Sequence, residues 1–410
     1  MIELFKQNRM FRMLLTYQFF SSIGGGMFSM FILLSVHLIY QNPIYTGIAG
    51  FLMAAPFIFS FAIGPIVDRR NKVSIMCLTT LLEFLVISLL AFTPVQEQFG
   101  ILFMFAVILI YNIAALFESP AGNALLPQVV GAEKILEANS MIRIAAMMGG
   151  IFIAAVLFIS LRNEPSFDFI YGFSAAFLAI AFITSLFLKN ATPKGSIGNI
   201  SSTKYVQDLK EGAKFVRSNV LLYVMITATA MGMFAEITFV NRPMFLEYHV
   251  GAQGYIIFST VVLLGGIFAS SFMGKIGNRF RMGQLILMLF LLAGVSRIIF
   301  VFVLPIRVMS GIVAMITYAT FGSAINIIFS SLNQKIPSAD MVGRVVTLSS
   351  TFRSVFATIG ALIGGIIGSI IPVVDHIFIY QGLSYIIIAM LMWIVPSVRT
   401  LPRMSEIKRG

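Results

Sequence analysis

Twelve apolar runs divide this 410-residue chain, and they constrain its fold more than any other feature of the sequence. The hydrocarbon core of a bilayer is ~30 Å thick, so a helix needs ~20 apolar residues to cross it. The runs are apolar on every face, whereas the strands of a membrane barrel alternate apolar and polar residues. The sequence therefore predicts an all-α membrane protein with twelve spans. These spans cover residues 11–38, 45–66, 73–93, 101–119, 138–161, 167–188, 219–240, 253–273, 282–304, 308–332, 345–371 and 376–396.

The composition excludes a soluble fold. Hydrophobic residues make up 59% of the chain and charged residues 11%, against roughly half and a quarter in soluble domains. The 16 acidic and 28 basic residues are too few to cover the surface of a soluble protein of this length, so most of the surface must face lipid.

The basic residues predict the orientation. With the N-terminus inside, 22 of the 28 basic residues lie in inner segments, and the outer loops hold only Arg162, Arg242 and Arg307. This asymmetry follows the positive-inside rule and predicts a multi-pass plasma-membrane protein with both termini in the cytoplasm. The net charge of +12 is spread over short inner loops beside anionic lipid. We therefore expect these charges to meet the bilayer and not nucleic acid.

The sequence assembles no residues for catalysis or metal binding. Cys77 is the single cysteine, and the three histidines have no metal-ligand spacing. No nucleophile with a base partner and no nucleotide-binding motif is present, so we expect neither an enzyme nor an ATP-driven pump. We expect a monomer that works without a metal or another cofactor.

The longest polar stretch, residues 189–218, separates two sets of six spans. We predict an N-terminal half over 1–188, a linker over 189–218, a C-terminal half over 219–396 and a cytoplasmic tail over 397–410. The start of the linker is rich in Gly, Ser, Thr and Pro and should be flexible. Its end predicts an amphipathic helix on the membrane surface, because apolar residues recur there at helical spacing. These residues are Val206, Leu209, Ala213 and Val216.

The two halves share short motifs in the same order. Gly64-x-x-x-Asp68-Arg69 recurs 210 residues later as Gly274-x-x-x-Asn278-Arg279, and Pro127 recurs as Pro337 at the same offset. An even number of spans per half gives both halves the same orientation. Parallel repeats of this kind, with a substrate site near the midplane, are typical of one class of secondary transporter.

At these residues the chain resembles the major facilitator superfamily, whose motif after the second helix is Gly-x-x-x-Asp-Arg-x-Gly-Arg-Arg. Residues 64–73 read Gly-Pro-Ile-Val-Asp-Arg-Arg-Asn-Lys-Val, with asparagine at the second glycine and valine at the last basic position. The segments 119–127, 136–140 and 334–345 resemble the macrolide-efflux and enterobactin-exporter branch. The resemblance implies two six-helix bundles, in which spans 1, 4, 7 and 10 line a central cavity and spans 3, 6, 9 and 12 lie outside.

The repeated motif is expected to gate transport. The resemblance implies that Asp68 docks near Arg344 at the positive N-terminus of span 11 and so latches the halves together; the alternative is a solvated loop charge. Arg69 and Arg70 could equally be orientation signals. In the second half Asn278 replaces the acid, so that copy should be a weaker latch or purely structural. The gating residues are Gly64, Asp68, Arg69, Arg70, Gly274, Asn278 and Arg279.

Three acids lie inside the spans, where a charge is costly unless it faces the bundle interior and finds a partner. Glu83 lies in span 3, Glu118 in span 4 and Glu236 in span 7. Because spans 4 and 7 are the expected cavity-lining ones, Glu118 and Glu236 are the proton-coupling candidates. A poorly solvated carboxylate there could bind a proton reversibly near neutral pH. The alternatives are an ion pair of Glu118 with Arg143 and a position of Glu236 at the outer interface near Arg242.

A substrate cavity should be apolar and aromatic with few polar groups. Arg353 in span 11 could meet an anionic substrate group, or could instead pair with a carbonyl. In span 11, Gly360, Gly364, Gly365 and Gly368 have the spacing of close helix packing, and Arg297 in span 9 is expected to be structural or to snorkel. The cavity candidates are Gln18, Phe28, Asn112, Tyr318, Asn326 and Arg353.

The sequence thus predicts a proton-coupled antiporter that exports amphipathic, macrolide-like or multidrug-type small molecules by alternating access. One alternative is an exporter or importer of a defined metabolite or siderophore. An alternative of another class is a membrane sensor or enzyme that transports nothing. Several departures prevent a direct transfer of the family's proton pathway: residues 23–26 in span 1 contain no acid, and the Gly-Pro signature of antiporters in span 5 is replaced by Gly149-Gly150.

Overall fold

The structure is a computed structural model. It describes residues 5–407 with the exception of 6, 69, 93–99, 132–133, 161–166, 192–209, 212, 220–227, 231, 339–340 and 372. Every regular element in these described residues is a helix, which confirms the predicted all-α fold class.

Fourteen α-helices have defined bounds in the described part of the chain. Eleven stretches are long and apolar enough to cross a membrane, and their bounds follow the predicted spans closely. The predicted seventh span, 219–240, lies partly outside the described residues; the helix there extends to Val250. The helices are α1 (Arg9–Tyr40), α2 (Pro43–Ala54), α3 (Ser60–Asp68), α4 (Lys72–Phe92), α5 (Gly100–Val130), α6 (Ile135–Ser160), α7 (Phe167–Ala191), α8 (Gly232–Val250), α9 (Ala252–Arg279), α10 (Met282–Val303), α11 (Val308–Lys335), α12 (Val342–Ile370), α13 (Asp375–Ile394) and α14 (Pro396–Arg399).

Local chemistry defines both ends of α1. The side chain of Asn8 accepts a hydrogen bond from the backbone N–H of Phe11 at 2.9 Å and thereby caps the helix. The amide of Asn8 also donates to the carbonyl of Val129 at the end of α5, at 2.8 Å. At the other end, Gln41 adopts the left-handed conformation, with φ 48°, and Pro43 then begins α2. The cap therefore also connects α1 to α5.

Pro56 divides the second span. A short 3-10 helix, Ala55–Phe59, separates α2 from α3 and carries Pro56 in its first turn. Proline has no backbone N–H, and its ring clashes with the carbonyl four residues earlier. The chain therefore makes tighter turns there before the α-helical pattern resumes.

The chain forms two compact units: Met1–Gln41 with Leu52–Ser202, and Asn42–Phe51 with Thr203–Gly410. In the first unit, α1 packs against α6 and α7, and α4 packs against α5 and α7. In the second unit, α8 packs against α12 and α13, and α10 packs against α11 and α13. The same set of neighbours thus recurs at equivalent spans, as expected for an internal repeat. The first residues of the second span, 42–51, belong to the second unit.

Glycines let helices of the second unit approach closely. A Cβ atom added to Gly360 would lie 2.5 Å from the carbonyl oxygen of Met233, and one added to Gly364 would lie 2.9 Å from the Cα of Ile237. A Cβ added to Gly365 would lie 2.8 Å from the Cα of Gly47. These contacts leave no room for a side chain, so the predicted close-packing role of the α12 glycines is confirmed.

The linker and the tail are described in part. Residues 210–211 and 213–218 are helical, and Val216 is buried in the core of the second unit while Ala213 is exposed. Val206 and Leu209 lie outside the described residues. An ion pair between Glu211 and Arg344 joins this segment to the start of α12. The tail packs through Leu401, which is buried in the same core.

Candidate functional site

A cavity opens inside the second unit, and two of the predicted cavity residues, Asn326 and Arg353, line it. Its open space is about 720 Å³, counting space continuous with solvent. Apolar and aromatic residues form most of the wall, and a few polar groups are set into it. The lining residues are Ala228, Thr229, Gly232, Ala235, Glu236, Phe290, Gly322, Ile325, Asn326, Phe329, Arg353, Ala357, Tyr385 and Ile388.

Helical spacing explains why these residues share one cavity. Residues three, four or seven positions apart lie on the same face of a helix, and Gly322, Ile325, Asn326 and Phe329 of α11 have this spacing. On α12, Arg353 and Ala357 follow the same rule. The cavity is therefore built from single faces of helices and not from loops.

The close contact of α12 with α8 brings opposite charges to the cavity. A Cβ atom added to Gly360 would lie 3.1 Å from the Cβ of Glu236, so the missing side chain lets the two helices meet at that level. Arg353 lies seven residues before Gly360, on the same face of α12. Both Glu236 and Arg353 consequently line the cavity.

Glu236 and Arg353 act on each other through space. The carboxylate of Glu236 is under the electrostatic influence of Arg353 and, more weakly, of Arg242. Within the described part of the chain, neither Glu236 nor Arg353 forms a direct ion pair with another side chain. Both charged groups are thus free to meet a ligand.

Tyr318 supports the cavity from behind. Its ring lies 6.1 Å from that of the cavity residue Tyr385, at a near-perpendicular angle. Its hydroxyl also accepts a 3.0 Å hydrogen bond from Gln381. On its other side, the guanidinium of Arg297 lies 4.6 Å from the Tyr318 ring centre. Arg297 is buried and does not snorkel, which corrects one of its two predicted roles and leaves the structural one.

The predicted cavity residues of the first unit occupy other surroundings. Phe28 is fully buried, with its ring centre 4.3 Å from that of Tyr111. Asn112 is also buried and donates to the carbonyl of Ile108 in its own helix at 2.8 Å. Gln18 faces Gly122 of α5, where an added Cβ would lie 3.4 Å from its amide nitrogen. Phe28 and Asn112 are thus buried among neighbours in the first unit, and their role in a substrate cavity stays a prediction.

Glu118 is the centre of a hydrogen-bond network in the first unit. Its Oε1 accepts hydrogen bonds from the hydroxyls of Tyr17, at 2.5 Å, and Ser21, at 2.7 Å. The Tyr17 hydroxyl lies 2.7 Å from that of Thr80 on α4. Glu83 lies three residues after Thr80, on the same face of that helix, where it interacts electrostatically with Glu118. The sequence assigned Glu83 to an outer helix and did not pair it with Glu118. The side chain of Arg143, the other predicted partner of Glu118, lies outside the described residues.

Both copies of the predicted gating motif lie at the ends of equivalent helices. Gly64 and Asp68 belong to the last turns of α3, and Gly274, Asn278 and Arg279 belong to the last turns of α9. Arg70 and Arg279 are exposed. Arg69 and the side chains of Asp68 and Asn278 lie outside the described residues. The predicted latch to Arg344 therefore stays a prediction.

Apolar membrane-crossing helices, a repeated packing pattern and a charged internal cavity define a multi-pass membrane transporter. Residues 14–361 match the family model of the Major Facilitator Superfamily. The chain belongs to this family of secondary transporters and is accordingly a transporter and not an enzyme. No curated protein matches the sequence.

Solved structures show the same fold at low sequence identity. The nucleoside transporter NupG is 15% identical with a TM-score of 0.79 over 94% of this chain and 99% of its own. A D-xylose–proton symporter is 13% identical with a TM-score of 0.73 over 98% of both chains. A bacterial homologue of the iron transporter ferroportin, in its inward-facing state, is 14% identical with a TM-score of 0.70 over 94% and 97%.

Proposed function

We propose that the protein exports amphipathic small molecules in exchange for protons. The observation that carries this proposal is the cavity of the second unit, where Glu236 and Arg353 face the same aromatic and apolar space without a direct ion pair. Burying an unpaired charge is costly, so a site of this kind gains most from a ligand that supplies a complementary charge. The resemblance to the macrolide-efflux branch favours export.

The wall of the cavity suits amphipathic molecules. Phe290, Phe329 and Tyr385 provide flat apolar surface, and the ring of Phe290 lies 6.0 Å from that of Phe329 and 5.7 Å from that of Tyr385. Asn326 and Thr229 add hydrogen-bonding groups. An aromatic body with one charged or polar end would fill such a site, as in most small-molecule pockets.

Proton exchange in this proposal uses Glu236 and Glu118. A carboxylate that binds either a proton or a cationic substrate couples the two, because the two ligands compete for one negative charge. Glu236 is placed for this competition on the wall of the cavity. Glu118, in the first unit, is the second candidate for binding the proton.

The proposal is tested by measuring how much ethidium and how much of a labelled macrolide cells accumulate. The cells make the wild type, Glu236→Gln, Arg353→Gln or no protein. Each strain is measured with and without an uncoupler. The control variant is Glu247→Gln, three turns further along α8. Wild-type and Glu247→Gln cells should accumulate less of at least one compound, and the uncoupler should abolish the difference. Glu236→Gln should abolish it for ethidium, the cation.

If all strains accumulate the compounds equally while the protein is present in the membrane, the proposal of drug export is overturned. The alternative is then a dedicated carrier of a defined metabolite or siderophore. Growth on single nutrients, compared between cells with and without the protein, distinguishes that alternative because an importer changes growth and not resistance.

A further inference from the structure

Glu83 is a fully buried acid for which the predicted function has no use. It lies in the middle of α4 with 1% of its surface exposed. Its Oε1 atom has no hydrogen-bond partner among the described residues. An ionised carboxylate in such surroundings is expensive unless a partner compensates it. The identity of that partner decides what Glu83 can do.

The hydrogen bonds of the network have a defined direction. Tyr17 has one hydroxyl proton and donates it to Glu118, so in its contact with Thr80 it must accept, and Thr80 donates. Ser21 also donates to Glu118. One oxygen of Glu118 thus accepts two hydrogen bonds, which stabilises the ionised form of a carboxylate.

The remaining described neighbour of Glu118 is Glu83. Two carboxyl groups that lie side by side repel each other unless one of them carries a proton. Two hydroxyls donate to Glu118, whereas no described residue donates to Oε1 of Glu83, so the proton is better placed on Glu83 than on Glu118. The orphaned Oε1 of Glu83 fits this assignment, since the oxygens of a neutral acid need fewer partners than those of a carboxylate.

The other titratable groups around the pair carry no positive charge in the described part of the unit. From α1 comes Tyr17, and from α5 comes Tyr111. The facing side of α7 presents Ser185, which contacts the thiol of Cys77 on α4 at 3.0 Å. The side chains of Arg143 and Asp68 are not described. Among the described residues, the acidic group that acts on Glu83 is Glu118.

We infer that Glu83 and Glu118 form a carboxyl pair that binds a single proton, with Glu83 as its carrier. The inference rests on the proton coupling proposed above and adds a residue to it. When Glu83 releases its proton to water, two carboxylates remain side by side, and their repulsion opposes this step as long as water is excluded. Release therefore requires water to reach the pair, which links proton exchange to opening of the first unit.

Infrared difference spectra of the purified full chain in lipid nanodiscs, recorded between acidic and alkaline pH without any substrate, test the pair directly. A protonated carboxyl group gives a carbonyl stretching band that disappears on ionisation. On going from acidic to alkaline pH, the wild type should lose one carbonyl band, and the spectrum of Glu83→Gln should not contain that band at either pH. The double variant Glu83→Gln/Glu118→Gln should lose no further band, because the pair holds one proton. Glu236→Gln, the control in the other unit, should keep the band.

Conservative variants serve if the glutamine variants fold poorly. Glu83→Asp keeps an acid and should keep a band at a shifted frequency, and Tyr17→Phe should shift the band by removing one hydrogen bond to Glu118. A band that persists in Glu83→Gln, or that Tyr17→Phe leaves in place, would overturn the inference. If the wild type shows the band but does not export ethidium, the proton site is still supported. That result contradicts only the proposed export function.

Discussion

The guanidinium carbon of Arg297 lies 4.6 Å from the ring centre of Tyr318, and Phe378 encloses it at the same distance on another side. Arg297 is 1% exposed and donates to the sulfur of Met315 at 3.4 Å. No acid in the described residues forms an ion pair with it. Stacked aromatic rings thus take the place of a counter-ion, as the flat guanidinium of arginine permits.

Arg297→Lys should destabilise the protein more than Arg297→Met does. A lysine ammonium is compact and strongly hydrated, so it cannot replace the stacked guanidinium and would lose about 2 kcal/mol or more. Methionine removes the buried charge and fills the space, which is often nearly neutral. Thermal unfolding in detergent measures both changes. Equal stability of the lysine variant and the wild type would show that stacking contributes little.

Gly365→Ala should lower stability, whereas Gly172→Ala should not. The added Cβ at Gly365 would lie 2.8 Å from the Cα of Gly47, but at Gly172 nothing lies within 4 Å. Overpacking at the first site should cost about 1–3 kcal/mol, and alanine at the second should gain up to about 1 kcal/mol of helix stability. The same thermal assay compares them, and similar shifts for the two variants would contradict a tight contact.

Glu236→Gln and Arg353→Gln should change substrate charge preference in opposite directions. Removing the acid leaves a cavity with net positive charge, so export of a cationic dye should slow by roughly tenfold or more, the loss of one charge-assisted contact. Removing the arginine should leave cation export unchanged or faster and weaken the binding of anionic compounds. Initial efflux rates of ethidium and an anionic dye give the comparison. A parallel fall for both dyes in both variants would indicate general damage to the fold.

Asn8→Ala should destabilise the first unit by about 1–2 kcal/mol, the usual effect of losing a helix cap. Asn8→Asp is the matched control, because aspartate still accepts the hydrogen bond from Phe11 but cannot donate to the carbonyl of Val129. The difference between the two variants therefore isolates the connection between α1 and α5. If aspartate behaves like asparagine, that connection adds nothing measurable.

Much of the fold could be predicted from the sequence because membrane-crossing helices leave a direct signal in hydropathy. The span predicted at 282–304, for example, is the helix Met282–Val303. The division of the second span was less visible: Pro56 signals a break, but the assignment of residues 42–51 to the second unit depends on long-range packing with Gly365. The linker residues 192–209 lie outside the described part.

The candidate site was predicted unevenly, and the reason is the uniform apolarity of the spans. Glu236, Asn326 and Arg353 line one cavity. The choice of spans suggested this for Glu236 in span 7 and Asn326 in span 10, but not for Arg353 in span 11, and the role of all three in transport stays a prediction. Phe28 and Asn112 are buried in the first unit, and their place in a cavity stays a prediction, because a helix that is apolar all round does not reveal which face is turned inward. Glu83 was placed on an outer helix because the family resemblance implies that span 3 lies outside. A span can be peripheral and still direct one side chain to the interior.

The glycine contacts of α12 also affect how mutational scans of this protein should be interpreted. Replacing Gly47, Gly360, Gly364 or Gly365 in a drug-resistance screen should abolish resistance as fully as replacing a substrate-binding residue, because each position has backbone or Cβ atoms within about 3 Å of where a side chain would begin. Ranked by fitness alone, these positions would outline a false binding site beside the true one. Measuring protein abundance in the same library separates the two groups, since only the glycine variants should reduce the amount of folded transporter.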